Sequence, residues 1–450
     1  MARTAKKEKA LTPEERLAQA LMPDVEQPYW VPENWCWVWH NSILDISGGS
    51  QPDKSLFAPE PKAGYTQLYQ TRDYGEHPIP VFIPDKYATK TTVEGDILLA
   101  RYGGSLGKVF KARAGAYNVA LAKVIILHND AINKELLYYY YLSHFYQDFC
   151  VRAAYGRSAQ AGFNRDDLAG LMFPLPPFAE QQRIVDRIES LFAKLDEAKE
   201  KAQSVVDGFE NRKAAILHKA FTGELTAGWR KKNGYSSTQW KLTMLKDCSC
   251  SIGDGLHGTP AFDENGDYYF VNGNNFSGTQ IEIKPDTKAV SFDEFVKHKI
   301  ELFPSTTVFV SINGTLGKTA FYNSEPIILG KSACYVNVNE KLSKFFLRYY
   351  FTSKEFIVYA NAMATGSTIK NLGLKAMRNM TLNLPSIPEQ DEIVRILDNM
   401  LNAMQKSKES AEQVIDQIDT MKKAILARAF RGELGTNDPT EESAEEMLRI

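Results

Sequence analysis

Few residues in this chain are spaced for chemistry. Gly314-Thr315-Leu316-Gly317-Lys318-Thr319 has the look of a phosphate-binding loop, in which glycine N–H groups and a lysine cradle phosphate oxygens. Its spacing fails, because the position due to hold the first glycine is Ile312. Together with Gly104-Ser105-Leu106-Gly107-Lys108, it could still offer backbone N–H groups and an ammonium to a phosphate, or form a plain turn between strands. Cys248 and Cys250 precede His257, but no second cysteine pair completes a zinc-ligand spacing. The 7 histidines form neither H-x-x-x-H nor H-E-x-x-H. There is no G-x-S-x-G elbow and no Asn/Asp-Pro-Pro-aromatic tetrad of an amino-methyltransferase. Glu197-Ala198-Lys199 has letters of a nuclease site but lies in a helical repeat. No catalytic constellation assembles, so a non-catalytic chain without a metal or cofactor of its own is expected.

Polar residues in glycine-rich stretches are the better lead. They are Arg101, Tyr102, Ser105, Lys108, Arg152, Arg157 and Ser158 in the first part of the chain. In the second part they are His257, Asn274, Asn275, Asn313, Thr315, Lys318, Lys331 and Lys370. Such side chains hold phosphates and read base edges, although each alone is more often a solvated surface group. Tyr138 to Tyr141 could form a stacking platform for bases. Their helical spacing between Leu136 and Leu142 favours core packing instead.

What positions these loops is a repeat. Residues Leu175 to Leu225 align without a gap on Leu384 to Leu434, with 20 of 51 positions identical at a shift of 209. Each copy opens on Leu-Pro and then Glu-Gln (Glu180-Gln181, Glu389-Gln390). Each closes on Phe-x-Gly-Glu-Leu (Phe221, Gly223, Glu224; Phe430, Gly432, Glu433). Between these ends runs a heptad seam. It passes through Ile184, Ile188, Leu191 and Leu195 to Phe209, Arg212 and Ile216 in the first copy. In the second it passes through Ile393, Leu397, Met400, Met404, Ser407, Ala411, Val414, Ile418 and Met421 to Ile425. Some forty helical residues make a rod of roughly 60 Å. Lone helices of this kind are marginal in water, and the other copy is the nearest partner. A module of about 150 residues precedes each helix, a size suited to one domain. Antiparallel pairing then keeps the modules from crowding one end, giving a two-lobed body with approximate internal two-fold symmetry. The modules share only islands: Trp35 and Gly48 match Trp240 and Gly253, the two glycine loops match at a shift of 210, and Gly156-Arg157-Ser158 matches Gly366-Ser367-Thr368.

Composition sets the outer bounds. The 450 residues carry a net charge of −2, so any basic footprint for nucleic acid must be local. The 5 scattered cysteines point to free thiols in a reducing compartment. With no apolar run of membrane-spanning length and no signal peptide, a cytoplasmic location is expected. Thr12-Pro13-Glu14-Glu15 reads as a capping box, predicting a short helix through Leu21 in a peripheral arm. The acidic residues after Gly435 read as a short solvated helix.

Two variable modules, each followed by Leu-Pro…Glu-Gln…Ile-Val and a heptad helix ending in Ala-Phe-x-Gly-Glu-Leu, resemble the specificity subunit of type I restriction–modification enzymes. The resemblance runs from about Trp35 to Leu434. It includes Trp35…Gly48-Gly49 and Gly253-Asp254-Gly255-Leu256-His257-Gly258-Thr259-Pro260, similar to the starts of that family's target-recognition domains. The first module lacks the Asp-Gly-x-His segment, and the N-terminal arm is longer than the pattern requires. The expected fold is α/β, with α+β target-recognition modules and two long antiparallel helices forming an intramolecular coiled coil in a pseudo-two-fold internal repeat. The expected divisions are an arm (1–28), a first recognition domain (29–174), a central spacer helix (175–227), a second recognition domain (228–383), a C-terminal spacer helix (384–435) and an acidic tail (436–450).

The resemblance implies a DNA-binding subunit in which each module reads one half of a split, asymmetric site in double-stranded DNA. The helices would act as a ruler and as the docking surface for two methyltransferase (modification) subunits, with Glu180, Gln181, Phe221, Gly223, Glu224, Glu389, Gln390, Phe430, Gly432 and Glu433 in that role. Those partners would use S-adenosylmethionine. Translocase–nuclease (restriction) subunits would use ATP and magnesium. The sequence leaves open a related system with a fused methyltransferase–nuclease partner, a coiled-coil scaffold that binds no DNA, and a free-standing enzyme.

Overall fold

The computed structural model describes residues 12–155, 162–236, 240–366 and 369–449. The chain divides into two compact units, Met1–Lys201 with Gln413–Ile450, and Ala202–Glu412. Each unit contains one module, the start of the long helix that follows it and the end of the other long helix.

Both modules follow one plan. The first rests on four antiparallel strands, Leu44–Gly48, Ile97–Ala100, Val109–Lys111 and Leu121–Ile126, in spatial order 1-4-2-3 counted along the chain. The second repeats that order with Ser249–Asp254, Thr307–Ser311, Thr319–Phe321 and Ala333–Val338. The second strand of each sheet is buried along its whole length, around the apolar runs Ile97–Ala100 and Val308–Val310. A smaller sheet in each module contains a parallel pair, Tyr65–Tyr69 with Gly115–Tyr117 and Tyr268–Val271 with Ile327–Leu329. The strand that opens each module pairs antiparallel with the strand that leads into the long helix: Cys36↔Leu175 in one, Lys241↔Leu384 in the other.

The helices Lys134–Leu142 and Lys344–Phe351 cover the sheets. Tyr139, Tyr140 and Tyr141 are buried, and the Tyr140 hydroxyl donates to the Met172 carbonyl at 3.0 Å. Tyr350 makes the equivalent bond to Thr381 at 3.2 Å. The tyrosine run is therefore core and offers no stacking platform.

The repeated region forms the helices Phe178–Asp207, Phe209–Phe221 and Ile387–Ala429. The first copy breaks at Gly208, whose carbon would meet the Ser204 carbonyl and the Arg212 guanidinium if it bore a side chain. Within each unit the copies pair antiparallel. In the first, Ile184 and Ile188 share a core with Leu426 and Phe430, and Lys422 reaches both Asp196 (2.6 Å) and the Phe192 ring (5.0 Å). In the second, Leu217 and Phe221 share a core with Ile393 and Leu397, and Lys408 lies over Phe209 at 5.0 Å.

The seam of the second copy is rotated from its expected position. Leu397, Met404, Ala411, Ile418 and Ile425 face inward, but Met400, Ser407, Val414 and Met421 are exposed. Leu401, Lys408, Ile415 and Lys422 take their places, half-buried. Both registers alternate four and three, and the long alkyl stems of Lys408 and Lys422 cover apolar surface that a hydrophobicity pattern does not count. Arg212, expected in the first seam, is exposed and bonds back to the Val205 carbonyl.

The Glu-Gln pair is where module and helix join. Gln181 accepts from the Asn133 amide (2.7 Å) and donates to the Ala131 and Pro176 carbonyls (2.8 and 2.9 Å). Gln390 accepts from Ser343 (2.8 Å) and donates to Lys341 and Pro385, both at 2.9 Å. Glu180 and Glu389 are buried carboxylates, which demand partners. Glu389 receives Thr226 Oγ1 (2.7 Å), Trp240 Nε1 (3.0 Å) and the Arg230 guanidinium. Glu180 receives Thr436 Oγ1 (2.8 Å), the Asn437 amide (3.0 Å) and Arg183. Gly223 and Gly432 turn the chain at φ +82° and +76° so that these donors arrive, and each glycine carbonyl accepts from a residue that also serves the glutamate, the Arg230 guanidinium or the Asn437 side-chain amide.

The first and last described segments also pack. Thr12 and Glu15 form the capping box of the helix Pro13–Ala20, after which Met22 is buried. The acidic tail forms the expected short helix, Ala444–Met447, with Asp438, Glu442, Glu445 and Glu446 exposed, but its apolar side chains are packed inward and not solvated. Ala444 and Leu448 lie in the first unit's core, Asn34 bonds the Asp438 carbonyl (2.9 Å), and Arg183 reaches Glu441 (2.7 Å). Alternation of apolar with acidic residues over one helical turn hides so short an apolar face.

His40 is fully buried, with Nδ1 2.8 Å from Asn41 Oδ1 and Nε2 2.8 Å from the Tyr141 hydroxyl. Because Oδ1 only accepts, Nδ1 carries the proton and Nε2 accepts from Tyr141. Burial pushes the His40 pKa down to about 4 from its usual 6.5.

Two outcomes are expected. Removing the carboxylate with Glu389→Ala leaves Arg230 buried and unpaired, and urea unfolding should show a loss of roughly 3–5 kcal/mol. A loss below about 1 kcal/mol would contradict the assigned role. For His40, the unfolded chain binds a proton between about pH 6.5 and pH 4 that the folded chain does not. Its contribution is therefore present above pH 6.5 and lost as pH falls through that window. His40→Gln should flatten the fall in urea midpoint between pH 7 and pH 4.5, and an unchanged fall would count against this titration.

Candidate nucleic-acid interface

In each module the glycine loop is the hairpin between the second and third sheet strands, and it packs on the following helix. Gly107 stands at φ +86°, where an added side-chain carbon would lie 3.3 Å from Cys150 Cβ, and Gln147 Nε2 donates to its carbonyl at 2.9 Å. Gly317, at φ +85°, would meet the Phe351 carbonyl at 2.9 Å. The second loop does not present a row of free amides to a phosphate. Gly314 N donates to the Lys370 carbonyl (2.9 Å), Gly317 N to the Ser311 carbonyl (3.1 Å) and Lys318 N to Ser311 Oγ (2.9 Å). What this hairpin exposes is the side chains of Thr315 and Lys318.

The second module gathers its candidates on one rim. Lys331 N bonds the Leu256 carbonyl (3.0 Å), which places Lys331 beside the His257 loop. Gly273 N reaches Ser332 Oγ (3.2 Å), and Ile312 N reaches the Ser332 carbonyl (2.9 Å). Asn313 bridges to Asn371, and the Lys370 ammonium bonds Asn361. Asn274, Thr315, Lys318, Lys331, Lys370 and His257 are exposed there, while Asn313 is half-buried. His257 pairs with Asp254 at 2.7 Å. Asn275 departs from the expectation. It is buried, accepting from the Asn272 amide (3.0 Å) and donating to Glu282 O (2.9 Å) and Thr287 Oγ1 (3.1 Å), so it braces the loop. Ser332 and Asn361 belong to this rim without a signal in the sequence, because folding alone brings Ser332 to Gly273 and Ile312, and Asn361, on the helix Lys354–Met363, to Lys370.

The first module has a different rim on the same frame. Arg101 donates from Nε to the Val119 carbonyl (3.0 Å), lies over the Tyr102 ring (4.7 Å) and fills the space above Gly48. Tyr102 bridges to Gly162, as Asn313 does to Asn371. Ser105 is half-buried, and Lys108 and Arg152 are exposed. Arg157 and Ser158 lie outside the described residues, as do Ser367 and Thr368.

Among the residues assigned to partner docking, Glu180, Gln181, Glu389, Gln390, Phe221, Gly223, Phe430 and Gly432 are buried. They join modules to helices and are no part of an outer surface. Of that set, Glu224 and Glu433 are exposed. Among the described residues, no group of three or more His, Cys, Asp or Glu could hold a metal ion, and no helix is long and apolar enough to cross a membrane.

A repeated frame with two unlike polar rims is matched by kinship. Residues 32–205 and 240–415 each match the family described as the type I restriction modification DNA specificity domain, and the chain belongs to that family. It is 24% identical over 306 residues to the type I restriction enzyme StySPI specificity subunit of Salmonella potsdam, covering 65% of both chains. To the EcoBI specificity subunit of Escherichia coli it is 22% identical over 281 residues, covering 59% of both. The chain thus spans less than two thirds of the length of these relatives. The crystal structure of the HsdS subunit from Thermoanaerobacter tengcongensis has a similar fold, with a TM-score of 0.64 at 19% identity, covering 91% of this chain and 100% of that one.

The burial contrast between adjacent asparagines yields a prediction. Asn275→Ala removes a buried side chain that braces the part-buried Asn272 amide and Glu282 carbonyl and should cost about 1–3 kcal/mol in urea unfolding, whereas Asn274→Ala should stay within about 0.5 kcal/mol of the parent. Equal effects would overturn the division between brace and surface.

Proposed function

We propose that this chain is the DNA-reading subunit of a type I restriction–modification assembly. Each module reads one half of a bipartite, asymmetric site in double-stranded DNA. The observation that carries this reading is that one frame, present twice, displays different side chains at matching places. Arg101 and Tyr102 stand where the second module has Ile312 and Asn313, and only the second module has the His257 loop. Unlike base contacts on like frames give unlike half-sites, while Lys108 and Lys318, alike in both, suit the phosphates that every sequence shares.

The chain itself supplies recognition and no catalysis. The helices fix the spacing between half-sites and carry two methyltransferase subunits on outward faces that include Glu224 and Glu433. Adenine methylation there would use S-adenosylmethionine, and translocase–nuclease subunits would use ATP and magnesium. The place of action is the cytoplasm, where the DNA is. A net charge of −2 fits a subunit whose tight binding needs its partners to complete the grip.

Replacing residues 240–383 with the corresponding module of a relative should change one half of the methylated site and leave the other half and the gap unchanged. Mapping methylated adenines in host DNA reads this directly. Alteration of both halves, or protection of one continuous patch in footprinting of the assembled complex, would refute the two-reader proposal.

A further inference from the structure

A cavity of about 600 Å³ in the first unit lies where residues 21–37 meet the C-terminal tail, and nothing in the DNA-reading proposal uses it. Its lips carry three carboxylates, Asp24, Glu33 and Glu445, and among the described residues no lysine or arginine lines it. Its wall is aromatic: Trp37 is buried, and Trp30 stands 77% exposed at the rim. Exposing an indole to water is costly unless something covers it. Trp35, also in the wall, is 5% exposed, and its Nε1–H has no hydrogen-bond partner among the described residues. A buried donor with no partner among the described residues can take an acceptor that enters the cavity. A second cleft of about 520 Å³ continues from the first, sharing Trp30, Pro32 and Glu33.

We propose that this cavity is a docking site for an extended, basic segment of a partner polypeptide, with an arginine or lysine side chain entering it. The carboxylates supply charge complementarity, and the Trp30 face stabilises the cation. A peptide carbonyl beside the basic side chain accepts the Trp35 N–H, which a bare cation could not do. The surface is formed by residues 21–37 and the tail, and none of its lining residues belongs to either DNA rim.

The test uses the full-length chain with ¹⁵N-labelled indoles. It is titrated into the millimolar range with acetyl-Gly-Arg-Gly-amide and with the isosteric, uncharged citrulline peptide. The arginine peptide should shift the Trp30 and Trp35 indole N–H signals saturably, and the citrulline peptide should not. Trp30→Ala, at an exposed position, should weaken binding about three- to tenfold as read from Trp35. Asp24→Asn with Glu33→Gln should weaken it further. No saturable shift, an equal response to citrulline, or undiminished binding in Trp30→Ala would each overturn the proposal. DNA binding by the assembled complex is scored separately, so failure here leaves the DNA-reading proposal standing.

Discussion

A carboxylate held away from water must be matched by donors, and this chain places one at the start of each long helix. Glu180 and Glu389 are each satisfied by groups that lie just beyond the end of the other helix, within the same unit. The partnership fixes more than an ion pair. It sets where the returning helix must finish and how the following segment must turn. Gly435 makes the constraint visible, since a side-chain carbon there would overlap Glu180 Oε1. The neighbouring glutamines bind backbone of the module itself, so a single dipeptide ties module, helix start and helix end together.

This arrangement explains why helices keep a sequence likeness that modules do not. A buried network tolerates little change, because any missing partner leaves a polar group stranded. The rim loops carry no such demand. Their strand ends and glycines must stay, as Gly107 and Gly317 do, but exposed side chains between them are free to differ. A recognition protein needs that separation: a frame that stays put and a reading surface that can be replaced.

The same physics accounts for the misassigned residues. Glu-Gln and Phe-x-Gly-Glu-Leu stand out by repetition, and the family resemblance implies a docking surface there. Repetition reports constraint without saying whether the constraint faces inward or outward, and burial decides for inward at eight of those ten positions. Asn275 went astray for a similar reason, since an asparagine that braces a turn and one that could meet DNA differ only in what surrounds them. The rotated seam of the second helix arose because lysine stems count as polar in any periodicity yet pack as hydrocarbon.

By itself the sequence determined the doubled plan, the helical character of the repeats and the family likeness. All of these rest on periodicity and repetition, which are local or self-referential properties. Only the tertiary structure decided which face of each helix is inward, which polar residues are braces, and that the acidic tail closes over the first module. Those outcomes depend on partners far away in the chain, such as Arg230 with Glu389 or Asn34 with Asp438, and no spacing rule reaches across such distances.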